Sequence, residues 1–233
     1  SQFLNVYNGT PFEIKAGEIV NLTLVRAYSW KIHPMLDPSF SLKENNFVNV
    51  SVFSPSGVLT NENVSVTGRI LFLNRSPASD EIRFEFDSST GVFYNLTLNL
   101  TKMGVEAGKY WLLINATNVT GNDVFSSVEI FPITASDFRL GIELGGFAFG
   151  RNQKVTGKIF AYNSTGHGKT NTTPVKVKVF DMAGNEVDVN VSVSKIENGE
   201  GRINITMPKE PGFYEILVTM NASDEFGMAS RWV

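Results

Sequence analysis

Only two histidines occur in the 233 residues, His33 and His167, and neither has the neighbours that chemistry needs. A zinc site draws on several His, Cys or carboxylate ligands at short, defined spacing. His33 stands before Pro34 in an expected loop near Trp30, and His167 lies between Gly166 and Gly168. Both read as exposed or turn residues. The chain has no cysteine, so thiol catalysis, thiolate metal sites and disulfides are excluded together. Carboxylates at Asp80-Glu81, Asp87, Asp123, Asp188 and Asp224-Glu225 fall where strand ends and loops are expected. Asp181, Asn185 and Asp188 could converge on calcium, but the run lacks the full set of oxygen ligands and reads better as a hairpin turn. Gly141, Gly145, Gly146 and Gly150 are not followed by the Lys-Ser/Thr of a phosphate loop, and predict a bent edge strand. Phe147, Phe149 and Trp232 could form a carbohydrate-stacking patch, although core packing is expected for at least two of them. No catalytic, cofactor-binding or metal residue is expected, and the chain reads as a non-enzyme.

A different residue type is in excess. Asn-x-Ser/Thr triplets begin at Asn8, Asn21, Asn49, Asn63, Asn74, Asn95, Asn99, Asn115, Asn118, Asn163, Asn171, Asn190, Asn204 and Asn221. With 22 Asn among 233 residues, chance would place roughly 3.5 such triplets. Strand geometry supplies one cause, because residues i and i+2 share a wet face and a face drawn from Asn, Ser and Thr makes the triplet automatically. Selection for N-linked glycans supplies the other. Glycans are favoured, since Asn is otherwise a poor strand residue, but occupancy of every site is not expected.

The elements that carry these residues are strands. Val64, Val66, Ile70 and Phe72 alternate with polar neighbours, as do Leu96, Leu98 and Leu100, and Tyr110, Leu112 and Ile114. Further along, Val155, Ile159 and Ala161, then Val175, Val177 and Val179, then Ile203, Ile205 and Met207, then Tyr214, Ile216, Val218 and Met220 do the same. A period of two marks strands with one buried face. The spacing predicts strands over 46–53, 62–73, 81–87, 92–101, 109–117, 123–131, 138–144, 152–162, 174–181, 186–194, 202–207, 213–221 and 225–232.

Two motifs repeat in the same order. Val66-Thr67-Gly68-Arg69-Ile70 returns as Val155-Thr156-Gly157-Lys158-Ile159, and Glu106 to Ile114 returns 104 positions later as Glu210 to Val218. The second copy is longer between them, which the strand at 186–194 would explain. Two sandwiches are expected, over 45–133 and 137–233, with Pro132 to Ser136 as a short linker.

The second copy, with its Asp181-to-Asn185 turn, Pro208 and Gly212-Phe213-Tyr214, resembles the β-sandwich repeats of macroglobulin-type proteins. Similar repeats are common in archaeal and bacterial surface proteins. The resemblance covers residues 137–233 well and 46–132 more weakly. It implies tandem immunoglobulin-like sandwiches and an extracellular setting. The thioester of macroglobulins has no counterpart without Cys, so protease trapping is not implied.

Residues 1–44 have no equivalent in the second copy. Ala16-Gly17 reads as the turn of a hairpin, and Val20, Leu22, Leu24, Tyr28, Trp30 and Ile32 share a face. Asp37-Pro38-Ser39-Phe40 is expected to start a short helical turn. Three roles stay open for the segment: completing the first sandwich, belonging to a preceding domain, or being donated to a neighbouring subunit.

Apolar residues make up 42% of the chain, while charged residues, at 18%, fall below the roughly 25% of ordinary soluble domains. Asn, Ser and Thr must therefore cover the surface. The net charge of −3 offers no basic footprint for nucleic acid, and no apolar run approaches the ~20 residues of a membrane span. The chain opens at Ser1 and is expected to be a processed product or an excised fragment. The expected function is a glycosylated, non-catalytic segment of an extracellular layer or filament that associates with itself or a neighbouring surface protein. Many acceptors without cysteine point to an archaeal source. The alternative is an accessory or adhesive module of a larger surface enzyme, binding carbohydrate or protein.

Overall fold

The structure, a computed structural model, describes residues 31–36, 39–53, 64–120, 123–163 and 165–233. The hairpin expected over 12–24 and the acceptors Asn8, Asn21 and Asn63 lie outside the described residues. No helix occurs among the described residues.

The first nine strands are β1 (Lys31–Met35), β2 (Ser39–Ser41), β3 (Asn46–Phe53), β4 (Val64–Leu71), β5 (Ile82–Arg83), β6 (Glu85–Asp87), β7 (Val92–Leu98), β8 (Gly108–Thr120) and β9 (Asp123–Ser136). They form one sheet in the order β1-β3-β7-β6 and a second in the order β2-β9-β8-β4-β5. Inward-facing Val48, Val50, Val52, Phe93, Leu112 and Ile114 close the core between them. Then follow β10 (Phe138–Leu144), β11 (Lys154–Tyr162), β12 (Lys176–Phe180), β13 (Val191–Val193), β14 (Glu200–Thr206), β15 (Glu215–Ala222) and β16 (Glu225–Trp232). These make one seven-stranded sheet, β12-β15-β16-β10-β11-β14-β13. Val179 of β12 and Ile203 of β14 share one buried cluster although they stand far apart in this order, so the sheet is bent on itself. The bend is at β10. Its first residues pair parallel with β16, and the rest pair antiparallel with β11. Both units have the strand order of immunoglobulin-like sandwiches, with the first strand shared between sheets.

Several sequence expectations need correction. Ser39–Ser41 is a strand rather than a helical turn, and His33 lies in β1 rather than in a loop. Pro34 is tolerated there because β1 is an edge strand. Residues 132–136 are the end of β9, paired with β8 as far as Ala135 and with β2 at Ser136, so no linker exists there. Of the bent edge strand expected over 141–150, Gly141 to Leu144 are strand, paired there with β11 alone, and residues 145–150 form none. Of the strand expected over 186–194, only Val191–Val193 forms.

The two repeated motifs also part company. Glu106–Ile114 and Glu210–Val218 do occupy equivalent strands, β8 and β15. The Val-x-Gly-x-Ile motifs do not, because β4 is the neighbour of β8 whereas β11 lies in the other half of its sheet from β15. The true counterpart of β11 is β3, which stands at nearly the same offset as the Gly-x-Tyr pair. The motif recurs for a local reason, since its central glycine lets another strand come close. A Cβ on Gly157 would collide with the Glu143 carbonyl, and one on Gly68 would press on Phe84 and the Leu113 carbonyl.

Two alternation errors have one kind of cause. Leu96 points outward, 49% exposed, because the pairing of β3 with β7 slips at a bulge between Asn95 and Leu98. The Asn95 carboxamide braces that bulge, accepting from Thr97 N–H at 3.0 Å and donating to the Arg83 carbonyl at 2.9 Å. Phe72 has left the strand for a turn closed by Phe72 N–H to Ser76 O at 2.9 Å.

Turn chemistry is well satisfied. Asp87 caps its turn through Ser89 and Thr90, and those hydrogen bonds lower its carboxyl to about 2. Tyr214 donates its hydroxyl to the Glu210 carbonyl at 2.8 Å, a bond that pins the start of β15. Replacing Tyr214 by Phe is expected to cost about 1 kcal/mol in urea unfolding. Gly157→Ala should cost more, about 1–3 kcal/mol, because strand backbones must move apart.

Candidate functional site

Where the sandwiches meet, the buried side chains are hydroxyls. Ser39, Ser41, Thr134 and Ser136 are all buried, in strands whose other inward positions are apolar. β2 lies parallel to the end of β9, pairing Ser39 with Thr134 and Ser41 with Ser136. Ser41 bonds Asp137 itself, and the other three hydroxyls reach past it into the second sandwich. Met228 is their common partner: its N–H donates to Ser136 Oγ at 3.1 Å, and its carbonyl accepts from Thr134 Oγ1 at 3.0 Å and Ser39 Oγ at 3.3 Å. Leu140 N–H donates to Ser39 Oγ at 3.1 Å, and Ser41 Oγ donates to the Asp137 carbonyl at 3.2 Å. Asp137 closes a pair with Phe226, its N–H giving to Phe226 O at 2.8 Å and its carboxylate taking Phe226 N–H at 2.9 Å.

The pairings Ser41 with Asp137 and Ser39 with Leu140 run in opposite chain directions. The second sandwich is thus folded back along β2 and β9 rather than suspended from a tether. Gly227 has no room for a side chain, since a Cβ would strike the Phe138 ring. Asn46, also buried, bonds Ser41 N–H and the Ser41 and Leu98 carbonyls, and so fixes β2 from the other side.

Ion pairs rim the seam. Glu225 accepts from Lys169 of its own sandwich and from Lys43 of the other at 2.9 Å. Lys109 spans the interface to Glu215 at 2.8 Å, with its ammonium 5.5 Å from the Phe180 ring centroid. The hydrogen bonds from Lys169, then from Lys43, hold the Glu225 carboxyl below its ordinary range, and the same contact raises Lys43.

The residues singled out for chemistry are scattered. His33 stacks edge-on against Phe53 at 5.4 Å, and His167 turns with Thr165. Both carboxylate oxygens of Asp181 are used by Asn185, which makes the expected turn, with Gly184 at φ 84. Among the described residues no group of three or more His, Cys, Asp or Glu side chains converges. Only Phe149 of the three aromatics packs on the core, contrary to expectation. Phe147 is 85% exposed and Trp232 42%. Phe147 instead carries the Arg231 guanidinium at 5.2 Å, which in turn donates to the Ile142 and Gly146 carbonyls. Phe147 and the exposed Phe213 line a cleft of ≈ 390 Å³ beside Tyr214 and Val233.

The acceptor asparagines divide by surroundings. Asn74, Asn190, Asn204 and Asn221 are exposed. Asn49, Asn95, Asn99, Asn115, Asn163 and Asn171 are half-buried, and Asn118 lies in β8. Asn171 is a structural residue: it accepts from Ile196 N–H at 2.6 Å and donates to Thr173 O at 2.7 Å. Asn115 keeps a buried Oδ1 with no hydrogen-bond partner. Asn74 and Asn163 accept at Oδ1 from the hydroxyls of Ser76 and Thr165, each two residues on, at 2.7 and 2.8 Å.

No family model matches the chain, and no curated protein does. Solved structures do. Escherichia coli alpha-2-macroglobulin in its native conformation aligns over 91% of this chain and 14% of its own, with 12% identity and a TM-score of 0.33. Yersinia pseudotuberculosis adhesin InvE aligns over 88% of this chain and 58% of its own, with 12% identity and a TM-score of 0.30. A chimeric titin Z1Z2 aligns over 88% and 94%, with 12% identity and a TM-score of 0.29. The chain therefore spans less than two thirds of the macroglobulin and adhesin chains. At these TM-scores the likeness carries no argument about function.

Two outcomes follow from the seam. Ser136→Ala strands the Met228 N–H and is expected to cost about 1–3 kcal/mol of stability, measured by urea unfolding. Glu225 has a lowered folded pKa, so its contribution is complete above its unfolded value of 4.5 and is lost as pH falls through the folded value. Acid titration of Glu225→Gln should lack that loss.

Proposed function

We propose that the chain is a non-catalytic, glycosylated structural unit of an extracellular layer or filament. The observation that supports this reading is the hydroxyl seam, which joins two sandwiches at one mutual angle through buried backbone partners. A part that must repeat its geometry in an assembly needs such a joint, whereas tethered modules keep relative motion. Dense acceptors without cysteine favour a surface setting outside the cell, and an archaeal one. Glycans would go first to Asn74, Asn190, Asn204 and Asn221. They would spare Asn171, whose half-buried carboxamide is tied to backbone groups at both atoms, and Asn115, whose carbonyl oxygen is enclosed.

A second reading, an accessory or adhesive module, is favoured by one feature: the cleft bearing Phe147 and Phe213. Flat aromatic surfaces suit the apolar faces of sugar rings. The two readings differ in what native material does. Electron microscopy is expected to find ordered arrays or filaments of it; dispersed monomers that bind glycans on an array would favour the second reading instead. Glycopeptide mapping of the same material is expected to find sugar on the four exposed sites and none on Asn115 or Asn171. A native mass equal to that of the bare chain would remove the glycan part of the proposal.

A further inference from the structure

The acceptor triplets differ in what holds them. Asn49, Asn95, Asn115, Asn204 and Asn221 stand in strands, in register with a neighbouring strand on one or both sides. Asn204 lies between Thr156 of β11 and Ser192 of β13, and its carboxamide accepts the Thr156 hydroxyl at 2.9 Å. Asn190 precedes β13, yet its carbonyl takes Thr206 N–H at 2.9 Å. At Asn95 and Asn171 the Nδ2 groups are spent on the Arg83 and Thr173 carbonyls. At Asn99 the hydroxyl of Thr101, two residues on, turns away to the Leu42 carbonyl.

Asn74 and Asn163 are held otherwise. Both lie outside the strands, in turns closed by their own backbone: Arg75 N–H gives to Phe72 O at 2.8 Å, and Gly166 N–H to Asn163 O at 3.1 Å. In each, the hydroxyl two residues on donates to the Asn Oδ1, from Ser76 at 2.7 Å and from Thr165 at 2.8 Å. A backbone N–H joins it on the same oxygen, that of Ser76 at 3.0 Å and that of His167 at 2.8 Å. The Thr165 hydroxyl also meets His167 Nδ1 at 2.6 Å, and keeps its proton for Asn163 when that nitrogen is the donor. Neither Nδ2 is spent on a hydrogen bond among the described residues. Among the acceptors whose side chains are described, only these two carry the triplet's own hydroxyl on the amide oxygen.

Glycan transfer makes demands that sort these sites. The Asn Nδ2 attacks the anomeric carbon of a lipid-linked sugar diphosphate. A C–N bond forms as the C–O bond to phosphate breaks, and the lipid diphosphate leaves with the bonding pair. The Nδ2 proton passes to a base of the transferase. The enzyme must reach Nδ2 and read the hydroxyl two residues on in a single grip. In a strand those two side chains share a face, but neighbouring strands engage the backbone that the enzyme would have to hold. In a tight turn the two groups are already together and stand clear of any ladder.

We infer that Asn74 and Asn163 are the acceptors that take sugar on the folded chain, while the strand acceptors take it only before their strands pair. A strand site in the folded protein must wait for local opening, and its rate falls with the rarity of the open form. Exposure alone does not make this division: Asn204 and Asn221 are exposed, whereas Asn163 is half-buried. The inference rests on the glycan reading proposed above and adds to it the order of events.

Transfer in vitro tests it. The full chain, made in a host that adds no N-glycans and purified folded, is given a purified oligosaccharyltransferase with a lipid-diphosphate-linked oligosaccharide. Peptides from a digest of the same preparation give each triplet's rate without the fold. Asn74 and Asn163 are expected to react on the folded chain at close to their peptide rates, and Asn204 and Asn221 to be slowed about tenfold or more. Asn204 or Asn221 reacting on the folded chain as fast as in peptides would overturn the inference. So would a folded chain left bare at Asn74 and Asn163 when its peptides are modified there. Glycans on native material, found together with either result, would sink the order of events while leaving the glycan reading intact.

Discussion

The backbone of Met228 holds the molecule's two halves in register. Its N–H and carbonyl lie where a β-strand would normally give them ladder partners, and three hydroxyls from the first sandwich take that place. A backbone polar group shut away from water without a partner is costly, so the seam is an obligation in both directions. If the sandwiches separated, Met228 and Leu140 would have to find water, and the hydroxyls of Ser39, Thr134 and Ser136 would lose their bonds to Met228. Hydroxyls suit this joint better than apolar side chains because a hydrogen bond has direction. Apolar packing would tolerate sliding along the interface; bonds to particular carbonyls and N–H groups do not.

The rest of the arrangement follows from that joint. With Asp137 alone between β9 and β10, the chain must reverse sharply, and Gly227 is needed so that Phe138 can lie against β16. Folding back brings β9 beside β16 and opens the apolar cleft between Pro132 and Trp232. It also brings Lys43 and Lys169 to the same carboxylate. The ion pairs lie at the rim, where solvent weakens them, so they trim the joint and do not create it. On the proposed reading, glycans take the exposed Asn74, Asn190, Asn204 and Asn221.

Much of the fold is legible in the residues, because alternation with a period of two is a direct consequence of strand geometry. Ile203, Ile205 and Met207, or Tyr214, Ile216 and Val218, could hardly be misread. What the pattern misses is any departure from the period. Leu96 turns outward at a bulge whose only local sign is Asn95, and Asn is common throughout this chain. The Val-x-Gly-x-Ile motif misleads for a related reason: a glycine that admits a neighbouring strand is useful in more than one strand of a sandwich. The seam was legible in principle. Ser39-Phe40-Ser41 and Thr134-Ala135-Ser136 place hydroxyls at alternate positions where neighbouring strands use Val and Ile. Reading 132–136 as a linker hid that signal, since polar residues in a linker call for no explanation.

Hydrogen exchange at single amides tests the joint most directly. Met228, Leu140 and Leu42 donate their N–H groups across or beside the seam. If the two sandwiches form one rigid unit, these amides exchange as slowly as those of Leu112 and Ile216 in the two cores, through global unfolding. Fast exchange at all three, with the cores still protected, would mean that the halves part readily in solution, and the account of a fixed angle would be contradicted.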